Sequence, residues 1–125
     1  AMFLVTPYVF TEEEQMKFNY ISDIVREAGF GYLNMNDYYQ ELAICFEEDF
    51  ADYGTHTNAI GMEKCSDFLG NYLAEQYGFE DKRGDAKYSD WDVAAKLWRE
   101  TLETAKQTIE HRILNGEFAI IGEDE

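Results

Sequence analysis

The chain has 125 residues, 46% of them hydrophobic, with 26 acidic against 10 basic side chains for a formal charge of −16. That length suits one domain with a modest core, and so much apolar material excludes intrinsic disorder as a description of most of it. The charge repels a phosphate backbone and an anionic membrane surface, which argues against nucleic acid as a partner, and no apolar run approaches the roughly 20 residues of a membrane-spanning helix.

In chain order, Phe3 to Thr6 within "MFLVTPYVF" is rich in β-formers and breaks at Pro7, which predicts a buried strand running into a loop. The run follows Ala1 at once, so an upstream region is expected to have been lost. Thr11 and Glu14 form a T-x-x-E capping box, and Tyr20, Ile21, Ile24, Val25 and Ala28 recur at helical spacing until Gly29. "FGYLNMN" reads as a second strand. Strand, helix, strand in this order is a βαβ crossover, so the fold class is α/β with a parallel sheet.

"NDYYQELA" predicts one or two helical turns, followed by the loop "DFADYGTHTN". From Asn58 the positions Cys65, Phe68, Leu69, Tyr72, Leu73 and Gln76 share one helix face, ending near Gly78. "EDKRGDAKYSD" is a polar connection, after which Ser89 with Asp92 is expected to cap a third main helix. Its stripe runs through Ala94, Trp98, Leu102, Ala105, Ile109 and Ile113 to a stop at Asn115-Gly116, with Trp91 and Trp98 expected to fasten it to its neighbour. Phe118 to Ile121 reads as an edge strand or a loose end. The domain reading is one unit over 1–125, with a βαβα core at 1–80, the connection and last helix at 81–116 and a tail at 117–125.

His56 with Asp52 or Asp49 is the one combination able to do acid–base chemistry. A carboxylate beside a histidine fixes its tautomer and stabilises the imidazolium, and loops at the carboxyl ends of strands are where open α/β sheets hold ligands. The competing reading is a turn in which the acid caps a loop and His56 caps a helix. A metal site from His56, Cys45, Cys65 and His111 would draw on four segments without ligand spacing, so no metal is expected; His111 suits a helix C-terminus. Cys45 and Cys65 read as free thiols. Tyr38, Tyr39, Phe46, Phe50 and Tyr53 fit either an acyl pocket or core filling.

The block "DFADYGTHTNAIGMEKCSDFLGNYL" resembles the carboxyl-terminal block of the SGNH (GDSL-type) hydrolases. "FNYISDIVREAGFGYLNMNDYY" and "YGFEDKRGDAKYSDWD" are similar to the segments before and after it in one bacterial branch, so the likeness covers residues 2 to about 100. It implies a partial flavodoxin-like three-layer fold with two or three parallel strands, an acyl-ester substrate, no cofactor, His56 as catalytic base and Asp52 as its orienting acid. Asn58 and Gly61 match the residues that start the following helix. The family writes the block D-x-x-H, whereas three residues separate Asp52 from His56 here, so either the loop bulges by one residue, or the acid role falls to Asp49 or is weakened.

The family also needs a serine in a G-D-S turn and oxyanion donors. Ser22 and Ser66 fall in helical patterns and Ser89 at a cap, so this chain carries a base without a nucleophile and is expected to be inactive alone. Two functions follow: the carboxyl-terminal part of a serine esterase or carbohydrate O-acyl deacetylase, or an acidic interaction module that kept part of the scaffold. Two strands also make a poor sheet, and an exposed sheet edge predicts homo-oligomers.

Overall fold

The computed structural model describes residues 1–8, 11–52 and 54–117. Strand β1 (Met2–Val5) and strand β2 (Gly31–Asn34) form a two-stranded parallel sheet in the register Met2 to Gly31 through Val5 to Asn34. Helix α1 (Glu12–Glu27) makes the crossover between them. Its capping box is complete: Thr11 Oγ1 accepts from the Glu14 amide at 3.3 Å and Glu14 Oε2 accepts from the Thr11 amide at 2.9 Å. The chain leaves α1 through Gly29, whose φ of +78° is the left-handed conformation that ends helices.

The protein is thus mixed α/β and mostly helical. After β2 come a 3-10 turn (Met35–Tyr38) and three helices, α2 (Tyr39–Leu42), α3 (Phe46–Asp49) and α4 (Ala59–Tyr77). Helix α3 lies where the sequence suggested only loop. A second 3-10 turn (Ala86–Tyr88) leads into α5 (Ser89–Leu114). The tail from 118, including the candidate edge strand Phe118 to Ile121, lies outside the described residues.

Strand alternation sends side chains to two faces. Leu33, with Met2 and Leu4, joins Met35, Leu42 and Cys65 in a core closed by Phe68, Leu69 and Tyr72 of α4. Removing a side chain such as Leu33 from water contributes about 1.5–3 kcal/mol, so this cluster carries the fold. On the other face Phe3 stacks on Tyr32 at 5.7 Å, and the Tyr32 hydroxyl donates to the Phe18 carbonyl of α1. No residue of α1 is fully buried, and Met16, Tyr20, Ile24 and Phe30 stay exposed, because two strands are too narrow to cover the helical stripe.

The direction of α4 locates the loop before it. The Tyr77 hydroxyl, at the end of α4, lies against Gly31 at the start of β2, so α4 runs antiparallel to the sheet and its N-terminus faces the carboxyl ends of the strands. Those ends are tied by two buried amides. Asn36 Oδ1 accepts from the Tyr8 amide at 2.9 Å, while its Nδ2 donates to the Thr6 carbonyl and to Asn34 Oδ1.

Helix α5 departs from expectation in two respects. The Ser89–Asp92 cap does not form: Ser89 is already the first helical residue, Tyr88 occupies the cap without a side-chain bond, and Asp92 Oδ2 instead accepts from the Gly84 amide. Of the tryptophans, Trp91 is 76% exposed and does not fasten the helix, whereas Trp98, 55% exposed, borders a cleft against Met62 and Glu63 of α4. Leu102 is the one buried residue of α5, helped by the Lys106 ammonium on Glu63 of α4 at 2.7 Å. The apolar stripe exists in sequence, but α4 offers too little surface to cover its amino-terminal half.

Candidate active site

Residues 49–58 make a small hairpin directly ahead of α4. Its two arms are joined by the Asn58 amide on the Asp49 carbonyl and the Ala51 amide on the His56 carbonyl, both at 2.8 Å, with an antiparallel bridge from Phe50 to Thr57. Phe50 plugs the base of the hairpin and is fully buried, so it is core filling. Gly54 turns the tip at φ +96°, a conformation that side-chain-bearing residues rarely take.

That turn folds the loop back onto Asp52. Its Oδ1 accepts from the Thr55 amide at 2.7 Å and the His56 amide at 3.0 Å, and its Oδ2 meets His56 Nδ1 at 2.5 Å. Two amides and one ring nitrogen thus converge on one carboxylate across a step of four residues. The hydrogen bond from the His56 ring, followed by those from the His56 and Thr55 amides, holds the Asp52 carboxyl down at about 2 against a usual 3.8. Asp52 is consequently ionised at neutral pH. An anionic acceptor at Nδ1 favours the tautomer that carries the ring proton there. His56 is 77% exposed, and Nε2 has no partner among the described residues.

Asp49 goes elsewhere. It is 0% exposed, its Oδ2 accepts from the Cys45 amide at 2.6 Å and from Lys64 Nζ at 2.7 Å, and it makes no hydrogen bond to His56. Its Oδ1 is buried without a partner among the described residues. Lys64 also donates to the Ala43 carbonyl at 2.7 Å, tying α4 to the left-handed residue (φ 50°) that ends α2. The helix cap considered for His56 belongs to Asn58, whose Oδ1 accepts from the Ile60 and Gly61 amides.

The remaining sequence candidates scatter. Tyr39 donates to the Tyr8 carbonyl, Tyr38 packs on Phe68, Phe46 lies beside Phe50 and is exposed, and Tyr53 lies outside the described residues. No serine hydroxyl bonds to His56 among the described residues: Ser66 Oγ donates to the Met62 carbonyl within α4, Ser22 lies on α1 and Ser89 on α5. His56, Cys45, Cys65 and His111 do not converge. Both cysteines are free, and burial pushes the Cys65 thiol up, away from nucleophilic use. Sequence reasoning missed Lys64 and the Asn34–Asn36 pair. A lone lysine next to Cys65 on the apolar face, and two asparagines directly after a buried strand, were the available signals.

Comparison with protein-family models, with curated proteins and with solved structures finds no match for the chain.

Proposed function

We propose that the chain supplies the base and the acid of a Ser-His-Asp ester hydrolase, as the carboxyl-terminal part of an SGNH-type, flavodoxin-like domain. The observation that carries this reading is the 2.5 Å contact of Asp52 Oδ2 with His56 Nδ1, with the opposite ring nitrogen facing outward. A structural turn needs only the two backbone amides on Oδ1; the second oxygen's grip on an otherwise unconstrained imidazole is surplus to it. The placement of the hairpin at the carboxyl ends of the strands adds support, since ligands of open α/β sheets bind there.

In this reading Asp52 keeps the ring in the tautomer with Nε2 unprotonated. Nε2 takes the proton from a serine hydroxyl as it attacks the acyl carbonyl, and the imidazolium so formed is stabilised by the Asp52 anion. The same proton then goes to the departing alkoxide, and a water molecule, deprotonated by Nε2, clears the acyl-enzyme. The substrate class is an acyl ester, such as an O-acylated carbohydrate. Nucleophile and oxyanion donors come from outside these 125 residues, so the chain alone does not turn over ester.

The test is the product of the native gene, expressed without proteolysis. A mass far above 14.6 kDa, a serine labelled by a fluorophosphonate, and at least about a thousandfold loss of ester turnover on His56→Ala are expected. A product of that small mass, or turnover indifferent to His56→Ala, overturns the reading.

A second reading, a non-catalytic interaction module, draws on a different feature. An open cavity of about 970 Å³ lies between the 79–83 connection and α5, lined by Phe79, Lys82, Arg83, Tyr88, Trp91 and Arg99 among others. Five of the ten lysines and arginines fall between 82 and 99, so this segment carries basic residues in excess of its acids. Large exposed aromatics beside cations suit contact with another molecule better than solvation.

A further inference from the structure

We propose that Asn58 is the positioning residue for His56: its side-chain amide straps the two arms of the hairpin to the first turn of α4 and thereby sets where the imidazole stands. The proposal rests on reading His56 as the base, and deepens it.

Among the described residues the His56 ring has one hydrogen-bond partner, Asp52, itself three residues into the same hairpin. The pair is therefore held only within the hairpin, so its contact and its place in the molecule both depend on how the hairpin is attached. Asn58 makes that attachment. Its Nδ2 donates to the Glu48 carbonyl at 2.6 Å, in the last turn of α3, and to the Phe50 carbonyl at 3.2 Å, on the incoming arm that follows. Its Oδ1 accepts from the Ile60 amide at 2.9 Å and the Gly61 amide at 3.2 Å, in α4. Its own amide donates to the Asp49 carbonyl. Both donors and both acceptor positions of the carboxamide are used, and the residue is buried.

Capping a helix needs only the oxygen, and serine, threonine or aspartate would serve. The two donor bonds are what asparagine adds, and both go to the segment that leads into Asp52. The surroundings are fitted to them. Gly61 lies so close to Asp49 that a Cβ would stand 2.4 Å from the Asp49 carbonyl oxygen, so only glycine lets α4 approach the arm. One turn on, Lys64 bonds the buried Asp49 carboxylate and holds the same arm against the same helix.

The experiment uses the 125-residue chain and nuclear magnetic resonance. Asn58→Ser keeps the capping oxygen and removes the strap. The expected result is retained α4 helicity with at least tenfold faster hydrogen exchange at the Ala51 and His56 amides. The Asp52 carboxyl midpoint should also move from about 2 toward 3.8 as the ring and amides disengage. An Asp52 midpoint and Ala51 exchange unchanged in a folded Asn58→Ser chain overturn the proposal.

Should the variant not fold, the parent chain decides. Both Asn58 side-chain amide protons are expected to exchange at least tenfold more slowly than those of Asn71, which is exposed; equal rates overturn the proposal. None of these readouts needs ester hydrolysis. A strap that holds in a chain whose full-length product is indifferent to His56→Ala would refute the hydrolase reading alone. A working His56 beside an Asn58→Ser chain with an undisturbed hairpin would refute the strap alone.

Discussion

Asp49 Oδ2 and Lys64 Nζ stand 2.7 Å apart, the carboxylate fully enclosed and its other oxygen without a partner among the described residues. Such a pair is an expensive way to join a loop to a helix, because desolvating a carboxylate costs several kcal/mol that one ammonium and one backbone amide only partly return. Lys64→Met leaves the charge uncompensated and should lower unfolding free energy by about 3–5 kcal/mol. The double substitution Asp49→Leu with Lys64→Met should recover most of that loss. Urea denaturation of the three chains checks it; a double variant as unstable as the single one would mean that the carboxylate is needed for its bond to the Cys45 amide rather than for its charge.

The Asp52 carboxyl should show which bond holds it. The His56 ring is the largest cause of its descent to about 2, so His56→Ala should raise the midpoint part of the way to 3.8, the two backbone amides keeping the remainder. Carbon-detected titration reads this directly. The linkage has a definite sign: a depressed acid stabilises the fold above 3.8, and that contribution is lost as pH falls through about 2. Between those values the parent chain should lose stability more steeply than Asp52→Asn. The opposite order would mean that the contact is not formed in solution.

Helix α5 should come loose through one side chain. Leu102→Ala removes its only buried contact and should cost about 2–4 kcal/mol locally. The Lys106–Glu63 pair, partly exposed and screened by solvent, should contribute less. Limited proteolysis should therefore cut between 89 and 114 in Leu102→Ala well before it does in Lys106→Ala. Equal sensitivity would assign the docking to the ion pair.

The narrow sheet should make the chain associate. Phe3, Met16, Tyr20, Ile24 and Phe30 are exposed around two strands whose outer edges have no partner among the described residues. Pairing with a second copy through an edge is the expected response. Sedimentation velocity should show dimers or larger species rising with concentration. A sharp monomer across a hundredfold range would mean that the small sheet is adequate as it stands.

The local grammar of the chain was readable because it depends on near neighbours. The Thr11–Glu14 box, the Gly29 and Gly78 exits and the span of α4 follow from residues within a turn or two of one another. So did the pairing of β1 with β2, since a single crossover leaves few alternatives. What the sequence left open was settled by distance in space. Asp52 and Asp49 are equivalent acids on paper, and only the turn at Gly54 and the arrival of Lys64 from α4 send one to His56 and the other inward. The α5 stripe misled for the same reason: periodicity says which face is apolar, not whether anything waits to cover it. Asp92 matched a capping pattern yet found a better donor in the Gly84 amide, eight residues back.

Both tryptophans of the chain lie on α5, away from the cluster around Leu33 and Met35: Trp91 borders the groove beside the 79–83 connection, and Trp98, with Leu102, borders a smaller cleft against Met62 and Glu63 of α4. Their emission is therefore a gauge of one helix and its two flanks, Trp91 of the groove and Trp98 of the seam with α4. Denaturation followed by tryptophan fluorescence would report the release of α5 from α4 through Trp98, with little contribution from Trp91, which is 76% exposed. A blue shift on mixing with another molecule would instead report occupancy of that groove, with the core silent throughout.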